Sequence, residues 1–307
     1  MSGRLVHTGQ VVVDLVLRVP ALPAPGGDVL ASTNELHAGG GFNVMSAAAR
    51  SGSRVVYAGA HGTGRFGDQV RAALREEGIE VVQPPAGDGD TGVCVVLVDD
   101  SGERTFVTAP GAEGRLLPDQ LAGIGVGRAD IVYVSGYSLL HESNGAALRS
   151  WLPSAAAAGI LFDPGPLAGD VDTGAMAAVL ATVDVLSCNA VEARTLSGQR
   201  DTAAAAAALA ARLKPGAAAV VRDGAHGCVL ARTGEIRAVA GFPVTPADTN
   251  GAGDTHCGVL AAALLAGADL TTAAVRANAA AALSVLRPGP ATAPTAGEID
   301  RFLAARE

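Results

Sequence analysis

The chain has 307 residues and a formal net charge of −8, a length that fits one large or two modest domains at ~150 residues each. Hydrophobic residues make up 49% and charged residues 17%, which excludes disorder driven by low hydrophobicity, and the glycines follow no Gly-X-Y period that would mark a collagen-like chain. The acidic balance, with aromatics at only 3%, excludes a nucleic-acid or anionic-membrane surface, because both need clustered positive charge, and leaves a small-molecule partner.

In chain order, Val11–Val16 reads as the first strand. The wider stretch from Val11 to Leu17 is interrupted by Asp14 and is too short for a signal-peptide core or a membrane span. A helix over Phe42–Gly52, a strand over Val55–Gly59 and a helix over Gly67–Glu77 follow. The stretches Leu17 to Leu36 and Thr91 to Val107 break this rhythm and read as extended segments joined by turns. In the second, Val93–Val98 and Glu103–Val107 flank the turn Asp99-Asp100-Ser101-Gly102, a hairpin pattern. Strand-length apolar runs then recur at Ile131–Val134, Gly159–Phe162, Val183–Leu186, Ala218–Val221 and Gly227–Ala231. Helical patterns cover Gly145–Ala158, Asp201–Lys214, Gly253–Ala266 and Leu270–Leu286. Asp201 can cap the alanine-rich helix, and Arg212 and Lys214 suit its C-terminus. The alternation predicts an α/β chain with a mainly parallel sheet, carrying a small β appendage. No later apolar segment of membrane-spanning length escapes charge, proline or glycine, and Cys94, Cys188, Cys228 and Cys257 form no C-x-x-C. The expected setting is the cytoplasm, with the thiols reduced.

Lys214 is the single lysine among 22 basic residues. There is no G-x-x-x-x-G-K-[ST], so a P-loop is excluded. A Schiff-base enzyme would have to use Lys214, which stands before Pro215-Gly216 at a helix stop, a poor place for a buried amine.

The strongest local signal is Asp248-Thr249-Asn250-Gly251-Ala252-Gly253-Asp254, running into an apolar helix. The amides of Gly251, Ala252 and Gly253 can converge at the helix N-terminus as an anion hole for a transferring phosphoryl group. Asp254 beside that anion makes sense as a general base taking the proton of an attacking hydroxyl. An ordinary capped helix with a glycine turn is the plainer alternative. Gly39-Gly40-Gly41-Phe42-Asn43 opens a second helix, where the glycines admit a ligand to the backbone and Asn43 offers a donor and an acceptor. A flexible loop would share that composition. Asp14 reads as a strand-end carboxylate, either at a ligand site or simply solvated. Gly62-Thr63-Gly64-Arg65-Phe66-Gly67 matches a dinucleotide fingerprint, but Glu80 comes too early to be its ribose-binding acid.

Together the two glycine motifs resemble the ribokinase-like, or PfkB, family of carbohydrate kinases over nearly the whole chain. Asp248 to Asp254 matches that family's D-T-x-G-A-G-D, Gly39 to Asn43 resembles its G-G-x-x-x-N, and Asn189-Ala190-Val191-Glu192 matches its N-x-x-E. The resemblance implies a three-layer αβα sandwich in a single domain, 1–307, with a mainly parallel central sheet and a small β lid from about 17–36 and 91–107. It implies ATP as co-substrate and Mg²⁺ as cofactor, with Asp254 as base and Gly251, Ala252 and Gly253 as the anion hole. Asp14, Gly39, Gly40, Gly41 and Asn43 would then contact the sugar. Asn189, Arg222, Gly224, Gly227 and Asn278 would border the nucleotide, and Glu192 would reach Mg²⁺ through water. The spacing of Asn189 and Glu192 itself places both on one face of a helical turn, which suits a hydrated Mg²⁺. A homodimer sharing lid edges is also implied.

Three departures from the family pattern stand out. Asp163-Pro164-Gly165-Pro166-Leu167 keeps only the aspartate of the D-x-N-x-R found in many members. Gly40 replaces a lysine frequent in ribokinases. The loop Ser284 to Ala293 has alanine where cation-activated members have a serine ligand, so Asp248 and potassium are a candidate pair only. The expected activity is phosphorylation of a primary hydroxyl of a small sugar resembling ribose, fructose or ketodeoxygluconate. A nucleoside kinase, a catalytically silent sugar-binding regulator and a Rossmann oxidoreductase are the alternatives.

Overall fold

The computed structural model describes residues 3–306. The chain runs β1 (Arg4–His7), β2 (Val11–Arg18), β3 (Thr33–Gly40), α1 (Gly41–Arg50), β4 (Arg54–Tyr57), α2 (Arg65–Glu76), β5 (Glu80–Val81), β6 (Val93–Val98) and β7 (Arg104–Ala109). It continues through α3 (Pro118–Ala122), β8 (Ile131–Ser135), α4 (Glu142–Trp151), β9 (Gly159–Asp163), α5 (Thr173–Leu180), β10 (Val185–Asn189), α6 (Ala190–Ser197) and α7 (Thr202–Ala210). It closes with β11 (Ala218–Arg222), β12 (Gly227–Arg232), β13 (Glu235–Ala240), α8 (Ala252–Leu265), α9 (Leu270–Ser284) and α10 (Ala296–Ala304).

Nine strands form one sheet in the order β13-β12-β11-β10-β9-β8-β1-β4-β5, parallel except at β12 and β13. Consecutive apolar residues go to opposite faces because side chains alternate along a strand. Leu5, Val55 and Ile131 join Val44, Leu260 and Ala277 of α1, α8 and α9 in one buried cluster, while Val6, Val56 and Val132 join Leu148, Met176 and Leu209 of α4, α5 and α7 in another. The sheet is therefore covered on both faces, as a parallel sheet must be.

Alanine and glycine let the helices on the first face come unusually close. A Cβ added at Gly258 of α8 would lie 2.3 Å from the Val44 carbonyl of α1. That contact sets the first turns of α1 and α8 side by side.

Four strands form a second sheet in the order β3-β2-β6-β7, with β2 and β6 parallel and the outer pairs antiparallel. The appendage expected from the sequence is thus a real sheet: β6 and β7 fall at the expected 91–107, whereas the other two strands lie at 11–18 and 33–40 and not across 17–36. Residues 19–32 hold no strand, and Val11–Val16, expected in the large sheet, belongs to this small one. The large sheet starts instead at β1, whose two apolar residues between Arg4 and His7 are too few to show a period. As a result Asp14 stands mid-strand in β2, opposite His37 and Cys94, and not at the end of a large-sheet strand. The hairpin turn forms as expected, with Asp99 Oδ1 accepting from the amides of Ser101 and Glu103.

Other boundaries shift for local reasons. The helix expected over Gly145–Ala158 starts earlier, at Glu142, and gives way at Leu152-Pro153 to a single tight turn. Asp201 does cap α7, accepting from the Ala204 amide at 2.8 Å. Strands β5 and β13 and helices α3, α5 and α10 escaped the sequence reading, which places only a helical turn at the start of α6. No described helix is long and apolar enough to cross a membrane.

Candidate active site

Parallel strands in register deliver their carboxyl-end residues to one edge, and ligands of open α/β sheets bind outside that edge. Ser135 pairs with Asp163 across β8 and β9, and Asn189 pairs with Arg222 across β10 and β11. The turn before α8 faces this edge.

Arg222 is the centre of the polar group formed there. Its Nη1 donates to Asp163 Oδ2 at 3.0 Å and to Ser187 Oγ at 2.8 Å, and its Nη2 lies 3.6 Å from Glu192 Oε2. The side chains of Arg222 and Asp163 are each 11% exposed and that of Glu192 is 6% exposed. A guanidinium buried this far persists because carboxylates surround it. Arg222 also touches α8, because a Cβ added at Gly253 would lie 3.4 Å from its Nη2.

Asn189 and Glu192 are committed more locally than the sequence suggested. Asn189 Oδ1 accepts from the amides of Val191 and Glu192, while Glu192 Oε2 accepts from the Asn189 amide and Oε1 from Asn189 Nδ2, both at 2.7 Å. The motif is a capping box on α6. Each Glu192 oxygen keeps a free lone pair, so the carboxylate can still accept from metal-bound water. Burial, reinforced by Asp163, holds the Glu192 carboxyl above the usual range, with Arg222 opposing. A single buried carboxylate that keeps accepting lone pairs and encloses no ligand set fits Mg²⁺, which keeps several of its waters, better than a cation that needs an all-protein cage. Among the described residues no group of three or more His, Cys, Asp or Glu could hold a metal alone.

At the start of α8, Gly251 adopts φ +72°, and a Cβ there would sit 2.0 Å from the Pro290 carbonyl. Only glycine fits both constraints. Ala252 and Gly253 follow as the first helical residues and line the edge of a cavity; the Gly253 amide has no partner within the helix, while the Ala252 amide makes a long 3.4 Å contact to the Thr249 carbonyl. Asp254, half-buried in the same turn, accepts from Asn43 Nδ2 at 3.0 Å through Oδ2. Burial lifts its carboxyl to about 6.

Gly40 caps α1 and Gly41 opens it. A Cβ on Gly39 would lie 2.1 Å from Asp14 Oδ2, so this glycine exists where the Asp14 carboxylate crosses the backbone. Burial also raises Asp14 to about 6, with His37 opposing and Asp254 adding. The Asn43–Asp254 hydrogen bond joins the two glycine motifs, far apart in the chain.

A cavity of about 370 Å³ is lined by Asn189, Arg222, Gly224, Gly227, Ala252, Gly253 and Asn278, with Phe242, Val244, Pro246, Ala281 and Val285 forming apolar walls. Seven residues singled out from the sequence therefore meet in one hollow. Asn278 borders it but spends its amide on the Val239 and Ala240 carbonyls, and its Oδ1 lies 3.2 Å from His256 Nε2. His256 and Phe242 were not singled out; neither belongs to a motif, and only folding brings them here.

Two other features resolve as structural. The Gly62 to Gly67 fingerprint binds its own chain: Asp90 accepts from the Phe66 and Gly67 amides at 3.0 and 2.8 Å, filling the N-terminus of α2 where a pyrophosphate would go. Lys214 pairs with Asp184 at 2.9 Å at a partly exposed position.

Comparison with known proteins adds an independent line. Residues 2–296 match the model of the pfkB family carbohydrate kinases. The chain is 30% identical to the uncharacterized sugar kinase YegV of Escherichia coli, over 97% of this chain and 98% of that one. It is 27% identical to the ribokinase of Haemophilus influenzae, with 99% of each chain covered. The crystal structure of ribokinase from Thermotoga maritima superposes with a TM-score of 0.84 at 24% identity, covering 98% of this chain and 99% of that chain. Arabidopsis thaliana ribokinase complexed with ribose and ATP gives a TM-score of 0.80 at 22% identity, covering 99% of each.

Proposed function

Because the chain belongs to the pfkB family of carbohydrate kinases, and is an ATP-dependent sugar kinase, we propose that it transfers the γ-phosphate of ATP to a primary hydroxyl of a small sugar, with Asp254 as general base. The observation that carries this reading is the place of Asp254: a half-buried carboxylate in the first turn of α8, held by Asn43 and flanked by the Ala252 and Gly253 amides. An anion-binding N-terminus with a carboxylate inside it suits a reaction in which one group loses a proton as its neighbour gains a phosphoryl group.

The sugar would enter between Asp14, the Gly39 to Gly41 backbone and Asn43, its attacking hydroxyl toward Asp254. The nucleotide would lie along Arg222, Gly224 and Gly227 with its base among Phe242, Ala281 and Val285, near Asn278. Asp254 takes the proton of the hydroxyl as the oxygen attacks in line. The α8 amides and Arg222 face the charge that develops on the transferred group, a role a P-loop lysine plays elsewhere. Glu192 and Asn189 would hold waters of a phosphate-bound Mg²⁺, which neutralises phosphate charge when present. The small sheet would act as a lid that excludes water from the transfer.

Of the aromatics that could flank a nucleoside base, Phe42 is largely buried in the core cluster, which supports a free sugar, whereas Phe106 and Tyr137 are exposed. Exposed Phe106 and Val107 on edge strand β7 support pairing with a second copy through the small sheet, and four buried free cysteines support a reducing compartment.

The test is ADP release from Mg·ATP against pentoses, hexoses, keto-acid sugars and nucleosides, with wild type beside Asp254→Asn. Turnover on a sugar that the variant loses supports the reading. Equal turnover by the variant would remove Asp254 as the base.

A further inference from the structure

The aspartate that opens the α8 turn is held through both of its oxygens, Oδ1 by two donors and Oδ2 by one. Asp248 Oδ1 accepts from the Asn250 amide at 2.8 Å and from the guanidinium of Arg104, and Oδ2 accepts from the Gly289 amide at 3.0 Å. Its side chain is 9% exposed and that of Arg104 is 21% exposed. Part of the loop facing it is engaged as well. The Val285 carbonyl accepts from the amides of Ala247 and Asp248 at 2.7 and 3.1 Å, and the Ser284 carbonyl accepts from Thr292 Oγ1 at 2.9 Å. The carbonyls of Ala291 and Ala293 accept from Arg50 Nη1 at 2.9 and 3.2 Å.

A potassium ion needs several oxygens that converge with free lone pairs and no competing positive charge. Here the carboxylate already holds a guanidinium, and two of the loop carbonyls hold another. Two unit charges of like sign at contact distance repel, most strongly where water is scarce. These residues do not fit a monovalent cation.

The need such an ion would meet is still present. Asp248 carries negative charge next to the amides that must attract a phosphoryl group, and it fixes the Asn250 backbone from which Gly251 and the α8 N-terminus follow. Resting on the kinase reading, we infer that Arg104, reaching across from β7 of the small sheet, supplies in cis the positive charge that neutralises and positions Asp248. Phosphoryl transfer by this chain therefore requires no potassium. Arg104 is a positioning residue, acting on the transferred group through Asp248 and the turn it holds.

Two measurements test this, one of which needs no turnover. Thermal melting of the protein in potassium chloride and in choline chloride at equal ionic strength should coincide; a higher melting temperature in potassium would reveal a bound ion and overturn the inference. In the ADP-release assay, wild-type kcat should change by less than about twofold when tetramethylammonium replaces potassium, whereas loss of a required ion would lower it about tenfold or more. Arg104→Ala, checked for folding by its own melting curve, should lose kcat by about tenfold or more, and both Arg104→Lys and added guanidinium ion should restore part of it. A folded Arg104→Ala with unchanged kcat, or a loss that neither lysine nor guanidinium mends, would overturn the role of Arg104. Absence of turnover on every sugar tested would count against the kinase reading, and the melting comparison would still decide whether the ion binds.

Discussion

Asn43 and Asp254 stand 211 residues apart in the chain and 3.0 Å apart in the fold, the amide Nδ2 of one donating to the carboxylate of the other. The pair ties the first turn of α1 to the first turn of α8. Asn43 holds Asp254 through Oδ2, and on the proposed reading Oδ1 would take the hydroxyl proton.

Replacing Asp254 by asparagine should lower kcat by about 10²–10⁴-fold, the usual worth of a positioned acid or base. The same change should stabilise the fold at neutral pH. With its carboxyl lifted to about 6 by burial, the folded protein binds a proton there that the unfolded chain has already released. Stability from that proton is present at low pH and is lost as pH rises through about 6. Asparagine removes the resulting penalty, so the variant should melt higher at neutral pH, by up to about 3 kcal/mol for a carboxyl raised from 3.8 to about 6, with the difference vanishing in acid. Calorimetry of both proteins across pH checks it.

The same carboxyl sets the pH dependence of turnover. A base must be ionised, so kcat should be flat above neutrality and fall as pH drops through about 6. Asp14, also lifted to about 6 by burial and sensing Asp254, titrates over the same range, so kcat/KM for the sugar should fall more steeply than kcat. The apparent values belong to the pair. In Asp14→Asn the two profiles should become parallel, and an unchanged steep profile would exclude Asp14 from sugar binding.

Removing Arg222 should harm the fold as well as the reaction. Arg222→Met leaves Asp163 and Glu192 without their buried counter-charge and should cost about 3–5 kcal/mol by denaturant melting. Adding Asp163→Asn should return part of that stability and none of the lost kcat, which separates the ion pair from the contact with phosphate.

Gly39→Ala probes the sugar side alone. The new methyl would fall 2.1 Å from Asp14 Oδ2, so the carboxylate must turn away. The expected result is a rise in sugar KM of about tenfold or more with the KM for ATP unchanged, read from initial rates. A change in ATP KM instead would move Gly39 out of the sugar pocket.

What the sequence determined by itself was the class of fold and the two ends of the site. Alternating apolar runs and helical patterns required a covered parallel sheet, and Gly251 to Asp254 could be read because a helix N-terminus is built from consecutive residues. The tertiary structure decided what depends on distant pairing. Asp14 lies in the small sheet because β2 pairs with β3 and β6, and the sequence missed this because β1, with two apolar residues, gave no periodic signal. Arg222 met Asp163 because β9, β10 and β11 lie in register, and Arg104 met Asp248 because the small sheet folds back on the α8 turn; no spacing along the chain encodes either contact. Local order is written in neighbouring residues, whereas the charge each carboxylate sees is set by whichever strands pack beside it.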